Sequence, residues 1–283
     1  MFGSVVKKGL SKTVWHLLGR KNMVRLGRFL SNEARLDTGN DLASNGERMV
    51  QACLGEILSD GESRLVFDIG ANIGEWSKAL IEQSREWKAP LFVHAFEPCG
   101  STYSTLIQNL ESWRITDKVK PHRIALSAEE GERTFYSLGE NQGRNSLYPH
   151  ERESHSVAIV PCSTIDRWCK EAGIARLFFV KIDTEGHDYE VLIGAKEMLK
   201  SARIDMLQFE YNHRWIAARR FLIDAFELLL PLGYVIGKIT QRGIEFYSDG
   251  WDFELETFRE GNYLAVQQEY RSAFPTVKWW NAK

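Results

Sequence analysis

Two periodicities alternate along the chain. Short runs of branched and aromatic residues at positions 65–69, 91–96, 119–126, 177–182 and 206–209 predict strands buried on both faces, as in a parallel sheet. Between them, apolar positions recur every three to four residues. That spacing predicts helices over 47–58, from Glu75 onward, and over 101–110, 163–171 and 216–230. Another follows Gly186, where Val191, Leu192, Ala195 and Leu199 make a buried stripe. Strands alternating with helices predict an open α/β sheet. Segments 134–137 and 157–160 predict two shorter strands, and 234–239, 244–247 and 263–267 complete the sheet with an antiparallel final hairpin. Asp60-Gly61 and Pro231-Leu232-Gly233 read as helix stops, and Ser163 with Asp166 as a helix cap. Residues 32–45 and 139–155 are polar loops. The second carries Asn141, Gly143, Arg144, Asn145, Ser146, His150 and His155, and its length makes it the candidate substrate lid.

The ends of the chain follow a different pattern. Leu10, Val14, Leu17 and Leu18 recur at helical spacing beside Trp15, with lysines and arginines between them. This predicts a basic amphipathic helix, and the lysines interrupt the apolar core that a signal peptide needs. Residues 1–30 hold seven Lys or Arg and no acid, and residues 271–283 hold three and none; the middle holds 26 against 38. An acidic middle argues against nucleic acid as its partner. The first helix either rests on an anionic membrane surface or a partner that tolerates its basic residues, or packs its stripe on the domain. Residues 1–45 thus read as a basic helical extension, 46–270 as the domain, and 271–283 as a basic tail containing Trp279 and Trp280. No apolar run reaches membrane-spanning length. Cys53, Cys99, Cys162 and Cys169 form no C-x-x-C pair and no zinc spacing. Reduced thiols and a cytoplasmic location are expected, with the inner membrane surface as the place of any lipid contact.

Candidate chemistry gathers where apolar runs end. Asp68 lies near the end of the first strand, and Gly70-Ala71-Asn72-Ile73-Gly74 follows before a helix begins. A carboxylate at a buried strand end needs a partner. The glycines allow positive φ and bare backbone against a ligand, and the helix start offers unpaired N–H groups. One concave site with both signs of polarity suits a zwitterion. The amino-acid end of S-adenosylmethionine fits, its ammonium near Asp68, directly or through water, and its carboxylate near the backbone of 70–74. A capped structural turn and a dinucleotide site are the alternatives, although G-x-x-x-G is not the G-x-G-x-x-G of the latter. Glu97, closing the second strand before Pro98, lies where such folds hold ribose hydroxyls. Ala125, Leu126 and Ser127 can flank an adenine ring. At 181–188, Lys-Ile-Asp-Thr-Glu-Gly-His-Asp again puts acids at a strand's carboxyl end, the edge where open α/β sheets bind ligands. The structural alternative is that Asp183 and Glu185 cap the following helix. The histidines lack metal-ligand pairing; a metal held by Asp183, Glu185 and Asp188 is an alternative that nothing else in the sequence supports.

V-F-D-I-G-A-N-I-G at 66–74, F-E-P at 96–98, A-L-S at 125–127 and K-I-D-T-E-G-H-D-Y-E-V-L-I-G-A at 181–195 together resemble the FkbM family of S-adenosylmethionine-dependent O-methyltransferases. F-E-Y-N at 209–212 and G-N-Y-L-A-V at 261–266 are similar to that family too. The resemblance spans 45–268 and leaves both basic ends outside. It implies an α/β, Rossmann-like class I methyltransferase with a mostly parallel seven-stranded sheet, helices on both faces and, here, an N-terminal helical extension. It also implies methylation of hydroxyl groups on sugars, glycans, glycolipids or secondary metabolites. Carried over by position, Asp68, Gly70, Asn72 and Gly74 would hold the methionine end and Glu97 the ribose. Methyl transfer from a sulfonium is an in-line displacement that needs alignment and a group to take the hydroxyl proton. Asp183 is expected as that base, with Glu185 or His187 orienting it or the substrate. Thr184 and His187 depart mildly from the residues common at those positions. A nicotinamide-dependent oxidoreductase should carry G-x-G-x-x-G, and a non-catalytic module of the same ancestry should have lost Asp68, Glu97 or Asp183; the chain meets neither description.

Overall fold

A computed structural model describes residues 4–37, 39, 41–57, 64–137, 145–149 and 156–282. The expected turn at Asp60-Gly61 and the lid residues Asn141, Gly143, Arg144, His150 and His155 lie outside them. Helix α1 (Ser4–Arg35), kinked at Gly19, and α2 (Glu47–Ile57) precede β1 (Arg64–Ile69). The chain continues through α3 (Glu75–Ser84), β2 (Leu91–Phe96), α4 (Gly100–Ser112), β3 (Val119–His122), β4 (Ala125–Leu126), β5 (Gly131–Ser137) and β6 (Ser156–Ser163). Then come α5 (Ile165–Glu171), β7 (Leu177–Ile182), α6 (Asp188–Ile193), α7 (Lys196–Lys200), β8 (Ile204–Tyr211), α8 (Trp215–Ala218) and α9 (Leu222–Leu229). β9 (Tyr234–Thr240), β10 (Gly243–Phe246) and β11 (Gly261–Gln267) finish the sheet.

Among the described residues, eight strands form one sheet in the order β10-β9-β11-β8-β7-β1-β2-β3. From β8 to β3 all neighbours are parallel. β11 lies antiparallel between β8 and β9, and β10 adds an antiparallel edge as an eighth strand beyond the expected seven. The period-two alternation of β1 explains the layering. Leu65, Phe67 and Ile69 pack on one face with Val191 of α6, Leu199 of α7 and Phe226 of α9, while Val66 packs on the other with Leu54 of α2, Leu80 of α3 and Leu106 of α4. Each fully buried side chain of this size contributes ~1.5–3 kcal/mol. His94, half-buried in β2, stacks on Phe67 at 5.6 Å between centroids.

The expected strand over 119–126 divides. β3 stays in the large sheet, and β4 pairs in parallel with β6 in a second sheet, ordered β4-β6-β5. The cap of α5 is Thr164 rather than Ser163, its side chain accepting from the Arg167 N–H at 3.0 Å. Asp166 turns away to cap α7, accepting from the Glu197 and Met198 N–H groups at 2.8 Å each. The expected helix over 216–230 breaks at Arg219, whose φ is 55°. The reason is tertiary: the Glu256 carboxylate takes the Leu222 and Ile223 N–H groups at 2.9 and 3.3 Å, donors that a continuous helix would have used internally. The basic tail packs back on the domain, with Phe274 and Trp279 buried and β10 bonded to it through Ile244 N–H to the Pro275 carbonyl at 2.7 Å.

Candidate active site

Register decides what meets at the carboxyl ends of the parallel strands. Asp68 of β1 and Lys181 of β7 are cross-strand partners, so both side chains emerge on the α3 face. The Lys181 ammonium stands 3.4 Å from Asp68 and 3.2 Å from Asp183, with the Trp76 ring 5.8 Å away. Ser77 donates to the other Asp68 oxygen at 2.6 Å. Burial alone would push Lys181 down; Asp183 and Asp68 beside it hold it above its usual range. Glu47, reaching in from α2, accepts from Asn45 at 2.6 Å and Asn262 at 3.0 Å. Burial raises its pKa against the pull of Lys181.

Two cavities open beside this cluster and meet at Gly70, Asn72, Asp183 and Glu185. One, of about 560 Å³, has an apolar wall of Phe96, Leu126, Phe135 and Leu147 and also includes Glu97, Thr184 and His187. The other, of about 700 Å³, is walled by Glu47, Glu75, Trp76 and Lys181. Gly70 has φ 79°, and a Cβ there would lie 1.8 Å from the Asp183 carbonyl oxygen. Its missing side chain is what brings the β1 and β7 ends together. Glu97 accepts the Asn72 N–H at 3.1 Å and the Cys99 N–H at 2.9 Å, which ties the turn to the end of β2. Burial pushes its carboxyl up to about 7, against the opposing effect of those two donors.

After β7 the backbone is irregular. Glu185 has φ 58°, its carboxylate pairs with Arg214, and its carbonyl accepts from the Ser146 hydroxyl at 2.8 Å. That bond holds the described part of the expected lid, and Asn145 and Leu147 join the apolar cavity. His187 places Nε2 2.9 Å from the Ser127 hydroxyl and its ring against Tyr148. Burial lowers its pKa to about 4, so the imidazole is neutral at pH 7. Asp188 accepts the Thr184 and Gly186 N–H groups at 3.3 and 3.1 Å. Asp188, not Asp183 or Glu185, thus organises the turn into α6.

Gly70, Asn72, Glu97, Leu126, Asp183, Glu185 and His187 all line the apolar cavity. Two of the expected residues stand behind the cavity walls. Asp68 is fully buried, lines neither cavity, and has its carboxylate occupied by Lys181 and Ser77. Of the two expected approaches of a ligand ammonium, this burial leaves the one through water. Gly74 lines neither cavity either; a Cβ there would strike Leu106 of α4 at 2.6 Å, so its role is helix packing. The Gly70 and Ala71 N–H groups bond to the Phe96 carbonyl, and Gly74 N–H to the Ala71 carbonyl, so these donors are engaged within the protein.

Lys181 and Glu47 join the site without having been expected. Lys181 carried a signal, the lone charge in an otherwise apolar strand, which demands a buried acid beside it. Glu47 carried none, since its partner Asn262 lies 215 residues away. The buried atoms Asn72 Oδ1, Thr184 Oγ1 and His187 Nδ1 have no hydrogen-bond partner among the described residues, and all three residues line the apolar cavity. Buried polar atoms of this kind fit a polar ligand in that space. Among the described residues, no group of three or more His, Cys, Asp or Glu is placed to hold a metal ion.

Comparison with known proteins bears on this geometry. Residues 68–236, more than half of the chain, match the model of the methyltransferase FkbM domain. The 2-O-methyltransferase NoeI of Sinorhizobium fredii is 25% identical over 195 residues, covering 64% of this chain and 76% of that protein. The hexuronic acid methyltransferase AglP of Haloferax volcanii is 28% identical over 147 residues, covering 52% of this chain and 56% of AglP. A crystal structure of methyltransferase FkbM from Methylobacillus flagellatus KT aligns with 73% of this chain and 45% of its own, at 20% identity and a TM-score of 0.46. The chain thus spans little more than half of AglP and less than half of that crystal chain. With the matched segment running from Asp68 through the Asp183 turn into β9, the chain belongs to the methyltransferase FkbM domain family.

Proposed function

We propose that this methyltransferase moves the methyl group of S-adenosylmethionine to a hydroxyl of a sugar or glycan. The observation that carries the reading is the meeting of the β2, β1 and β7 ends at one cavity whose wall holds three buried polar atoms without partners among the described residues. Glu97 would take the ribose hydroxyls, Leu126 would flank the adenine, and the Gly70 to Asn72 turn would carry the methionine end. Lys181 orders Asp68 and Asp183 behind that turn. The donor, when bound, supplies an electrophilic methyl group. The sugar acceptor is the reading favoured by NoeI and AglP, whose names specify a 2-O position and a hexuronic acid.

Asp183 lines both cavities, its side chain is 26% exposed, and its position is fixed by Lys181. It is the carboxylate able to take the hydroxyl proton as the new O–C bond forms. Glu185, held by Arg214, shapes the rim, and neutral His187 with Ser127 closes the apolar end. Calorimetry with S-adenosylmethionine tests the donor, and transfer of labelled methyl to sugar and glycolipid acceptors tests the reaction. Asp183→Asn should cut turnover by roughly 10²–10⁴-fold with donor affinity within about twofold of wild type. Normal turnover in that variant would remove Asp183 from this role.

A further inference from the structure

From Trp15 onward, helix α1 presents most of its apolar side chains to solvent, with Met23 half-buried. Leu17 is 78% exposed, Phe29 57% and Leu30 56%, and Trp15, Val24 and Leu26 are exposed as well. After the kink at Gly19 the helix is two-sided. Met23, Leu26 and Leu30 share one face by their spacing, bordered by Val24 and Phe29; Lys21, Arg25 and Arg28 share the opposite face. Residues 1–30 contain seven Lys or Arg and no acid.

The far end of the helix is fastened to the domain. Asp37 pairs with Lys238 and Arg259, Arg259 also reaches Asn32, and Lys238 donates to the Arg35 carbonyl at 3.3 Å. Arg259 precedes β11, whose first residue, Gly261, is registered with Tyr211 at the carboxyl end of β8. A few residues past the fastening, Leu42 and Glu47 line the polar cavity. The helix therefore leaves the domain from the rim on which the active site opens.

We propose that residues 15–30 of α1 form a docking surface for an anionic lipid bilayer, lying in its plane with Met23, Leu26 and Leu30 turned inward. Charge selects this occupant. A second copy of the helix would bring two acid-free, cationic segments together, whereas an anionic surface attracts the basic residues while the acyl boundary covers the apolar ones. No helix among the described residues is long and apolar enough to cross a membrane, so the contact is one of lying on the surface. The docking is independent of the methyl-transfer reading and is tested without it.

The full chain is sedimented with vesicles of phosphatidylcholine alone and of phosphatidylcholine with about one-third phosphatidylglycerol. Wild type should pellet with the anionic vesicles and be released as salt rises toward about 1 M. At about fivefold per basic residue, Lys21→Gln, Arg25→Gln and Arg28→Gln combined should weaken binding on the order of a hundredfold. Leu26→Ser, Phe29→Ser and Leu30→Ser combined should also release the chain, with thermal melting of both triple variants unchanged. Wild type remaining in the supernatant, or pelleting equally with neutral vesicles, overturns the proposal. So does a wild-type dimer that the serine variant dissolves while vesicles capture neither.

Discussion

Lys181 is a single residue on which two acids depend. Substituting Lys181→Met leaves Asp68 and Asp183 facing each other without a cation; Asp68 is fully buried, so a loss of roughly 3–5 kcal/mol in denaturant unfolding is expected. Adding Asp68→Asn should restore part of that loss, the non-additivity expected of groups in one network. Glu97 yields a second prediction at this scale. Its folded pKa of about 7 lies above the ordinary 4.5, so between those values the native state keeps a proton that the unfolded chain releases. That contribution to stability is present below 4.5 and fades as pH rises through about 7. Ribose hydroxyls donate to the ionised form, so donor affinity by calorimetry should rise as pH climbs through the same value and then level off. Glu97→Gln should flatten the rise. His187 has the opposite sign: with a pKa lowered to about 4, it resists protonation in the fold, and its share of stability falls away as pH drops below the ordinary 6.5. The placement of Glu97 and Asp183 could be read from the chain because each ends an apolar run before a turn residue. The withdrawal of Asp68 behind Lys181 could not be foreseen, because register between two strands over a hundred residues apart decides it.

At the scale of elements, strands were more legible than helices. Buried parallel strands announce themselves as unbroken apolar runs, and β1, β2 and β7 lie where those runs are. Helix limits were set by partners distant in sequence. Glu256 opens α9 from 34 residues away, and Asp166 caps α7 from 31. Glu256→Ala removes the acceptor of two helix N–H groups and of the Tyr211 hydroxyl, so unfolding in urea should show a loss of about 2 kcal/mol. The candidate lid showed in the sequence only as a long polar loop; that Ser146 fastens its described part to the Glu185 carbonyl depends on the irregular backbone after β7.

At the scale of the whole molecule, the apolar residues of the first helix from Trp15 to Leu30 stand outside the cores on both faces of the sheet. Leu17→Ser should therefore leave the melting temperature of the isolated chain unaltered, within about 0.5 kcal/mol of wild-type stability. The charge asymmetry between the basic start and the acidic middle was plain in the sequence, whereas the exposure of the apolar side chains emerged only with the fold. The seating of β11 has a reach beyond the cavity. The family segment stops at residue 236, inside β9, yet β11 fills the slot between β8 and β9, and its Asn262 clasps Glu47 ahead of that segment. Trimming the polypeptide to the shared segment would strip away β10, β11 and most of β9 and leave β8 as a bare edge. The heritable unit and the self-sufficient one are therefore not the same stretch of chain.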